Sequence, residues 1–275
     1  MVSRLRKVLV RTPTTVGDFV GTAQWREPDR DSLLSQHAEF VRLLESCGAD
    51  VFVGDPVDNL VDAVYTHDPA IMTPFGAVLL RMRKPVRRPE PALMRADFER
   101  LGVPIVGELS APAYSDGGDK VWLDAHTLLV GRGYRTNAAA IDQLRALLGP
   151  RGVDVVGLDL PHYQGPDAVL HLMSVISPIS YDLAVVYEHL APVALIELLD
   201  ERGISRITVD EEEMLTQGGN ILAVAPGEVV LAAGNDKVRT KLLAAGVTVH
   251  EFAGTDVAVK GDGGPTCLTQ PLWRT

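Results

Sequence analysis

The sequence predicts an α/β fold in which five similar units close into a ring. Five times, a helical stretch ends at a glycine and a strand rich in β-branched residues follows, as in LLESCGADVFV. These glycines recur at intervals of 43 to 54 residues, at Gly48, Gly102, Gly152, Gly203 and Gly246. Such a period is typical of repeat architectures. Each unit is therefore predicted to run strand, tight turn, strand, helix, glycine and strand.

The first unit must be assembled from both ends of the chain. Its helix, predicted from about Leu33 to Cys47, lacks a complete hairpin before it. The C-terminus supplies residues 256–260 and the segment around Cys267 without a helix after them. Together the two termini therefore complete one unit and close the ring. The second unit follows with AIMT, the turn PFG, AVLLRM and a helix from about Pro89 to Leu101.

The remaining three units follow the same plan. In the third, residues 120–123 and 127–130 flank the turn DAH, and the helix predicted over Ala138–Leu148 has one apolar face with Asn137 as a cap. The fourth contains AVLHLMSVISPIS, which alternates poorly and is predicted to be a mostly buried strand. The fifth repeats the plan with NILAV, the turn APGE, VVLAAG and a helix that begins near Asn235.

Composition narrows the class of protein and its partners. The repeats run nearly end to end without a linker, which predicts a single domain over residues 1–275. A net charge of −10 argues against nucleic acid and suits a cationic small molecule. No apolar run approaches the roughly 20 residues of a membrane helix, and the N-terminus enters a strand, so we expect a cytoplasmic protein that does not bind membranes. The exposed helices of such repeats allow a homodimer.

The chain contains two cysteines, Cys47 and Cys267. Neither belongs to a CxxC or Cys/His metal spacing, which argues against a disulfide framework and a structural zinc. Cys47 ends a predicted helix and is interpreted as a core residue. Cys267 lies in GDGGPTCLTQP, where Gly263 and Gly264 allow unusual backbone angles and close approach of another group.

A second set of residues recurs in the phase of the repeat, each just before a predicted hairpin. They lie 47 to 52 residues apart, at Asp68, Asp119, His171, Asn220 and Cys267. Around a common axis, these positions would meet in one cavity. A lone histidine in a buried strand is more often a core residue, and a lone terminal cysteine can be one too. The shared phase favours a functional interpretation of both.

Acidic residues flank glycine pairs in the same regions. Asp116 and Asp119 surround two glycines in SDGGD, while Asp62 and Asp68 stand six apart in DAVYTHDP. One aspartate alone is usually a turn or cap residue. Several carboxylates beside a thiol suit a guanidinium, whose N–H fork binds carboxylates in a bidentate manner. Arg135, and Arg87 or its neighbour Arg88, could hold an anionic end of the same ligand or be solvated surface residues.

Together these motifs resemble those of the guanidino-group-modifying enzymes of the pentein superfamily, in which five ββαβ units form a propeller. The resemblance spans nearly the whole chain, through RTP at residues 11–13, DAVYTHDP, SDGGD, GRGYRTN, LHLMS and GGPTCLT. Within the superfamily it is most similar to the dimethylarginine dimethylaminohydrolases. These enzymes hydrolyse Nω-methylated L-arginine to L-citrulline and methylamine or dimethylamine. The resemblance implies the same reaction and no metal or organic cofactor.

The resemblance also implies roles for individual residues. The nucleophile corresponds to Cys267, the acid–base histidine to His171 and the catalytic acid to Asp116. The substrate-binding residues are then the acids Asp68, Asp62 and Asp119 and the arginines Arg135 and Arg88. The cysteine would attack the guanidinium carbon and form a covalent thiouronium, which water would resolve.

Two departures from the dimethylargininases keep other activities open, whereas one departure from the arginine deiminases favours the dimethylargininases. Arginine deiminases usually carry H-L-D at the histidine, and Met173 replaces that acid here. Asp116 stands where dimethylargininases generally have Glu, and an Asp at this position is more typical of amidinotransferases. In addition, THDP replaces the commoner E-D-P or R-D-P. The alternatives are arginine deimination, amidino transfer, and a propeller that binds a ligand or partner without catalysis.

Overall fold

Five three-stranded sheets surround a common axis, and each has the same internal order. The computed structural model describes residues 1–275. In every sheet the central strand pairs antiparallel with one neighbour and parallel with the other. The predicted five-repeat plan is therefore confirmed.

The strands and helices follow one another in the order that the repeats predict. In chain order they are β1 (Leu5–Arg11), α1 (Arg30–Ser46), β2 (Asp50–Gly54), β3 (Ala70–Thr73), β4 (Gly76–Leu79), α2 (Glu90–Arg100), β5 (Ile105–Glu108), β6 (Lys120–Trp122), β7 (Thr127–Arg132), α3 (Ala138–Leu148), β8 (Asp154–Asp159), α4 (Leu172–Val175), β9 (Ile176–Pro178), β10 (Leu183–Val186), α5 (Val193–Glu201), β11 (Ser205–Thr208), α6 (Glu211–Met214), β12 (Leu222–Ala225), β13 (Glu228–Ala232), α7 (Asp236–Ala244), β14 (Thr248–Phe252) and β15 (Gln270–Arg274).

The two termini share the sheet of the first repeat, as the sequence predicts. β15 pairs antiparallel with β1, with Gln270 opposite Leu9, and β1 pairs in parallel with β2, with Leu9 opposite Phe52. The last strand of the chain is thus the first strand of this repeat. The ring is closed by β1 and β15, which lie near opposite ends of the 275-residue chain.

The helix ends follow local chemistry. α3 has the predicted bounds, and the Asn137 side chain caps it by accepting a hydrogen bond from the Ala140 N–H. α1 begins earlier than predicted, at Arg30, because the Asp29 side chain caps it by accepting from the Ser32 N–H.

The glycines after the helices explain the period of the sequence. All five have positive φ, between 65° and 87°, which favours a residue without a Cβ.

The segment around His171 differs from the prediction of a strand. His171 precedes the four-residue helix α4, and β9 begins only at Ile176. The cause lies in the backbone hydrogen bonds: the Leu172 N–H donates to the Asp119 carboxylate, and the Ser174 N–H donates to the His171 carbonyl. These groups are therefore withdrawn from a sheet ladder, and His171 is set at the start of a tight helical turn.

The core is divided among the repeats rather than concentrated in one place. The largest apolar cluster joins the first and fifth repeats and includes Phe40 of α1 and Phe252 of β14, whose rings lie 4.7 Å apart. Each long helix buries one face against its own sheet and leaves the other exposed. No helix combines the length and the apolar character needed to span a membrane.

Candidate active site

The loops that precede the hairpins converge on a cavity of about 70 Å³. Among the predicted site residues, five line this cavity: Cys267, His171, Asp68, Asp62 and Arg135. They come from four different parts of the ring. Of the five in-phase positions, Asp68, His171 and Cys267 line the cavity, whereas Asp119 and Asn220 do not.

Cys267 is half-buried, and its thiol has a specific polar partner. The Asn220 amide donates from Nδ2 to the Cys267 Sγ over 3.2 Å, while its Oδ1 accepts from the Thr266 N–H. Gly264 packs directly against this amide, since a Cβ at that position would lie 2.5 Å from the Asn220 Cγ. Burial, with a further contribution from the Asp68 carboxylate, raises the pKa of Cys267 to about 12. The thiol is therefore protonated near neutral pH when no cation is bound.

His171 faces the buried carboxylate of Asp116. The distance from His171 Nε2 to Asp116 Oδ2 is 3.5 Å, and Nε2 has no other partner. Burial acts to lower the pKa of His171, but the nearby Asp116, Asp119 and Asp68 carboxylates outweigh it and raise the pKa. The imidazole can therefore hold a proton at neutral pH. Gly118 permits this placement, because a Cβ there would lie 2.3 Å from the His171 Nδ1.

Asp116 itself has no exposed surface and is held from three sides. Its Oδ2 accepts from the Arg135 Nη1 at 3.2 Å, and its Oδ1 accepts from the Arg83 N–H at 3.3 Å. Burial tends to raise the pKa of Asp116, but His171 and Arg135 lower it overall. This carboxylate stays charged behind the imidazole and connects it to Arg135.

Asp68 is bound by the buried Arg87, which directly precedes Arg88 in the sequence. Asp68 Oδ1 accepts from the Gly118 N–H at 2.9 Å, and Oδ2 accepts from the Arg87 Nη1 at 2.7 Å. Arg87 also binds Glu90 in a bidentate manner, at 2.8 and 2.7 Å. Burial alone would raise the pKa of Asp68, but Arg87 reverses the effect and lowers it. Asp68 is thus ionised although buried.

Two predicted acids have different surroundings. Asp62 lines the cavity, and its Oδ1 accepts from the Trp25 indole N–H at 2.8 Å. Asp119 is fully buried beneath the cavity, where its Oδ2 accepts from the Thr136 hydroxyl and its Oδ1 from the Leu172 N–H. Asp119 therefore contacts the backbone that positions His171 rather than the cavity.

The two predicted arginines, Arg135 and Arg88, differ in burial. Arg135 is 2% exposed, and its Nε and Nη2 have no hydrogen-bond partner. Arg88 is exposed at the surface, whereas its neighbour Arg87 is buried in the site. The sequence signal that distinguishes them is Glu90, which stands three residues after Arg87 and can pair with it at the start of a helix.

Sequence reasoning missed several residues that complete the cavity. Lys84 lines it and donates from Nζ to the Gln24 Oε1 at 2.9 Å. Tyr65 forms a wall, stacked on Trp25 with ring centroids 5.4 Å apart. Gly263 packs on the Tyr65 ring, which confirms the expected close approach at this glycine. Its φ is not positive, so the expected unusual backbone angle is wrong.

The charges in and beneath the cavity favour a cation. The acids there are Asp62, Asp68, Glu90, Asp116, Asp119, Asp167 and Asp262, and the cations are Lys84, Arg87, Lys120 and Arg135. The carboxylates outnumber the fixed cations, while Arg135 keeps two free donors for an anionic group. The arrangement therefore suits a ligand with a guanidinium or similar cation and a carboxylate, next to a thiol and an imidazole.

Comparison with known proteins finds similarity to arginine deiminases and to a dimethylarginine dimethylaminohydrolase. A family model described as arginine deiminase matches residues 35–202 and 192–274. Arginine deiminase from Listeria monocytogenes is 27% identical over 265 residues, which cover 81% of this chain and 63% of that protein. The chain thus spans less than two thirds of the length of the listerial enzyme. The dimethylarginine dimethylaminohydrolase of Pseudomonas aeruginosa is 26% identical over 96% of this chain and 98% of its own length.

Solved structures share the fold. The substrate-bound N-terminal domain of ArgZ, a cyanobacterial arginine dihydrolase, has a TM-score of 0.85 at 21% identity and covers 98% of both chains. The Pseudomonas dimethylarginine dimethylaminohydrolase in complex with citrulline has a TM-score of 0.80 at 23% identity over 97% of this chain and 99% of that one. These superpositions confirm the predicted five-bladed α/β propeller of the pentein type.

Proposed function

The chain belongs to the arginine deiminase family, and from that premise we propose that it hydrolyses the guanidinium of Nω-methylated L-arginine. The products are L-citrulline and methylamine or dimethylamine. One observation carries the proposal: the Cys267 thiol and the His171 imidazole line one cavity with the Asp68 carboxylate, and the Asp116 carboxylate lies behind the imidazole. A nucleophile, an acid–base group and acids that bind a guanidinium are the parts that this chemistry needs.

The first half of the reaction forms a covalent bond to sulfur. The bound guanidinium favours the Cys267 thiolate by opposing the effects that raise the thiol pKa, and His171 holds the released proton. The thiolate adds to the guanidinium carbon. The bond to the methylated nitrogen then breaks as His171 donates its proton, and the amine leaves. An S-alkylthiouronium remains on Cys267.

The second half uses water. Neutral His171 takes a proton from a water molecule, whose oxygen adds to the thiouronium carbon. The carbon–sulfur bond breaks, the thiol is regenerated and the carbon becomes the ureido carbon of citrulline. Asp116 supports both steps, since its charge stabilises the protonated imidazole 3.5 Å away.

Substrate binding follows from the remaining charges. Asp68 and Asp62 orient the guanidinium, and Asp119 contributes indirectly through the Leu172 backbone that it holds. The two partnerless N–H groups of Arg135 bind the substrate carboxylate. Arg88 is exposed in this structure, so its part in binding that carboxylate would require the substrate to reach the rim of the cavity.

Two observations favour the methylated substrate. Met173 is 2% exposed and belongs to an apolar cluster with Leu172 and Val175, so the fourth repeat supplies no acid there for an unsubstituted guanidinium. The chain also matches nearly the full length of the Pseudomonas dimethylargininase. The match to the arginine deiminase model favours arginine itself, and deimination is therefore the second candidate.

Product analysis separates these activities. We would incubate the wild type, Cys267→Ser and the control Cys47→Ser with asymmetric dimethylarginine, monomethylarginine and arginine in ¹⁸O-water, with and without glycine. Citrulline carrying one ¹⁸O and a methylamine, absent only in Cys267→Ser, is the expected result. Citrulline mainly from arginine would establish the deiminase instead. Guanidinoacetate would establish amidino transfer, and no product from any substrate would favour a binding protein.

A further inference from the structure

A second group of reactive side chains lies outside the cavity, where the first and fifth repeats meet. Cys47 follows the last residue of α1, Glu228 opens β13 and His250 lies in β14. One ligand atom from each, the Cys47 sulfur, a Glu228 oxygen and a His250 ring nitrogen, can be chosen so that all lie within 4.8 Å of one another. The proposed reaction uses none of them.

The ligand atoms of the three side chains lie close together, and the hydrogen bond that the His250 Nε2–H donates to the Glu228 Oε1 would be exchanged for bonds to the ion. His250 Nε2 lies 3.1 Å from the Glu228 Oε1. The other oxygen, Oε2, is 3.5 Å from the Arg4 Nη2, which fixes the carboxylate without occupying Oε1. Cys47 is 7% exposed, while the side chains of His250 and Glu228 are 31% and 25% exposed. The cluster is thus backed by the core and open to solvent on one side.

The donor set selects the class of ion. A thiolate, an imidazole and a carboxylate are ligands of Zn²⁺ and similar borderline metals, whereas Ca²⁺ and Mg²⁺ prefer oxygen ligands alone. Zinc bonds to these groups are about 2.0 to 2.3 Å long, so tetrahedral ligand atoms lie roughly 3.3 to 3.7 Å apart. The separations found here, at most 4.8 Å, need to contract by no more than about 1.5 Å, which side-chain rotation can supply.

We propose that Cys47, Glu228 and His250 bind one Zn²⁺ ion, with a water molecule as the fourth ligand. The ion joins the C-terminal end of α1 in the first repeat to the sheet of the fifth repeat. It thereby crosslinks the first and fifth repeats next to the sheet that contains both termini. The exposed side of the cluster provides the entry path for the ion and the position of the water.

Binding is coupled to proton release. A cysteine binds a metal ion as the thiolate, so the ion displaces the proton of the Cys47 thiol. The ion also requires a free lone pair on the His250 Nε2. Metal affinity should therefore rise with pH.

The sequence does not show this site because its members are distant in the chain and none follows a metal-binding spacing. The sequence predicts that Cys47 is a core residue, and it is indeed buried. The packing of α1 against β14 brings it to Glu228 and His250.

Cobalt titration of a variant without the active-site thiol tests the proposal. In Cys267→Ser, Co²⁺ should bind with a stoichiometry of one and give tetrahedral d–d bands and a thiolate charge-transfer band. Adding Cys47→Ser should abolish the charge-transfer band, and adding His250→Ala should weaken binding at least tenfold. Adding His126→Ala, at an exposed turn of the third repeat, should change neither result.

Thermal unfolding gives a second readout that does not depend on the cobalt spectrum. Zn²⁺ should raise the Tm of Cys267→Ser, and a chelator should reverse the shift, because an ion that binds only the folded state stabilises it. Circular dichroism would check that each variant folds, and Glu228→Gln would replace His250→Ala if that variant did not. A charge-transfer band that persists without Cys47, or no binding of Co²⁺ or Zn²⁺ in excess, would overturn the proposal.

Discussion

The two ends of the strand hairpins carry cavities of opposite character. At one end, the loops before the hairpins form the cavity of about 70 Å³ that contains Cys267 and His171. At the other end, turns such as the one at Phe75 line a cavity of about 780 Å³ with several apolar and aromatic side chains, including Trp122 and Trp273. The larger cavity would be the usual first choice for a binding site. Buried titratable groups with shifted pKa values instead mark the smaller one.

The difference arises from what each end does with its polar backbone and side chains. At the smaller cavity, three repeats donate a hydrogen bond to a neighbouring repeat: the Gly118 N–H to Asp68, the Leu172 N–H to Asp119, and the Asn220 amide to Cys267. These contacts fix reactive groups at a point where five loops meet. At the larger cavity, half of the lining residues are apolar. A propeller of this kind can therefore concentrate its chemistry at one end of the axis.

The largest effect that we expect is on turnover at the smaller cavity. Cys267→Ser should lower kcat by roughly 10⁴-fold or more, because the covalent route is lost. His171→Gln should lower it by about 10² to 10⁴-fold, because acid–base catalysis is lost. Phe75→Ala, at the rim of the larger cavity, should leave kcat and KM within about twofold. Steady-state kinetics with quantified citrulline provides the measurement.

A strong effect of Phe75→Ala would reverse the assignment of the two ends. Equal activity of Cys267→Ser and the wild type would do the same, and it would also contradict the covalent route. Cys47→Ser serves as the matched cysteine control in this experiment.

The second effect concerns thiol reactivity and its pH dependence. The pKa of Cys267 rises from 9.0 to about 12 in the free protein, so its thiolate fraction at pH 7 is lower than that of an ordinary cysteine by about a thousandfold. Alkylation by neutral iodoacetamide should therefore be slow and should keep accelerating from pH 7 to pH 10. A cationic haloacetamidine should react faster relative to a free thiol, because its charge favours the thiolate. Peptide mass spectrometry distinguishes Cys267 from Cys47.

A plateau in the iodoacetamide rate below pH 8 would contradict this expectation. It would mean that the free protein already stabilises the thiolate. His171 would then have to form a stable ion pair with the thiolate before substrate binds.

The third effect separates two adjacent arginines. Arg87→Ala leaves the Asp68 and Glu90 carboxylates buried without their cation, and we expect it to lower the free energy of unfolding by about 3–5 kcal/mol. Arg88→Ala, at an exposed position, should change it by no more than about 0.5 kcal/mol. Urea unfolding measures both. Similar losses in the two variants would contradict the buried network. A raised KM with unchanged kcat in Arg88→Ala would support the predicted contact of Arg88 with the substrate carboxylate.

These arginines illustrate what the sequence can and cannot predict. The period of the glycines predicts the five repeats, because the positive φ after each helix is a local requirement that recurs. The in-phase positions predict that Asp68, Asp119 and Cys267 converge, because equivalent positions in a ring face the same axis. The choice between Arg87 and Arg88 depends on which side chain the loop turns inward. Glu90 is a local signal for Arg87, but Asp68, 19 residues earlier in the chain, is a partner that no local pattern reports.

The same limit explains the segment around His171 and the cluster at Cys47. The apolar composition of LHLMSVIS favours a strand, but the distant Asp119 carboxylate takes the Leu172 N–H and starts a helical turn. Cys47 has the sequence context of a core residue, and its neighbours Glu228 and His250 come from another repeat. Contacts between repeats, rather than within them, are what the periodic signal leaves out.

The smallest effect tests one such contact between repeats. Asn220→Ala removes the donor that lies 3.2 Å from the Cys267 sulfur, and the hydrogen bond acts to lower the thiol pKa. The loss of one such bond is worth about 1 kcal/mol, so kcat/KM should fall roughly fivefold. Iodoacetamide alkylation at pH 9 should slow in the same proportion, which a purely structural role of Asn220 would not predict. Asn220→Asp keeps the oxygen that accepts from the Thr266 N–H but places a negative charge beside the sulfur. It should therefore be slower than Asn220→Ala in both assays, and the opposite order would show that Asn220 acts by holding the loop rather than by stabilising the thiolate.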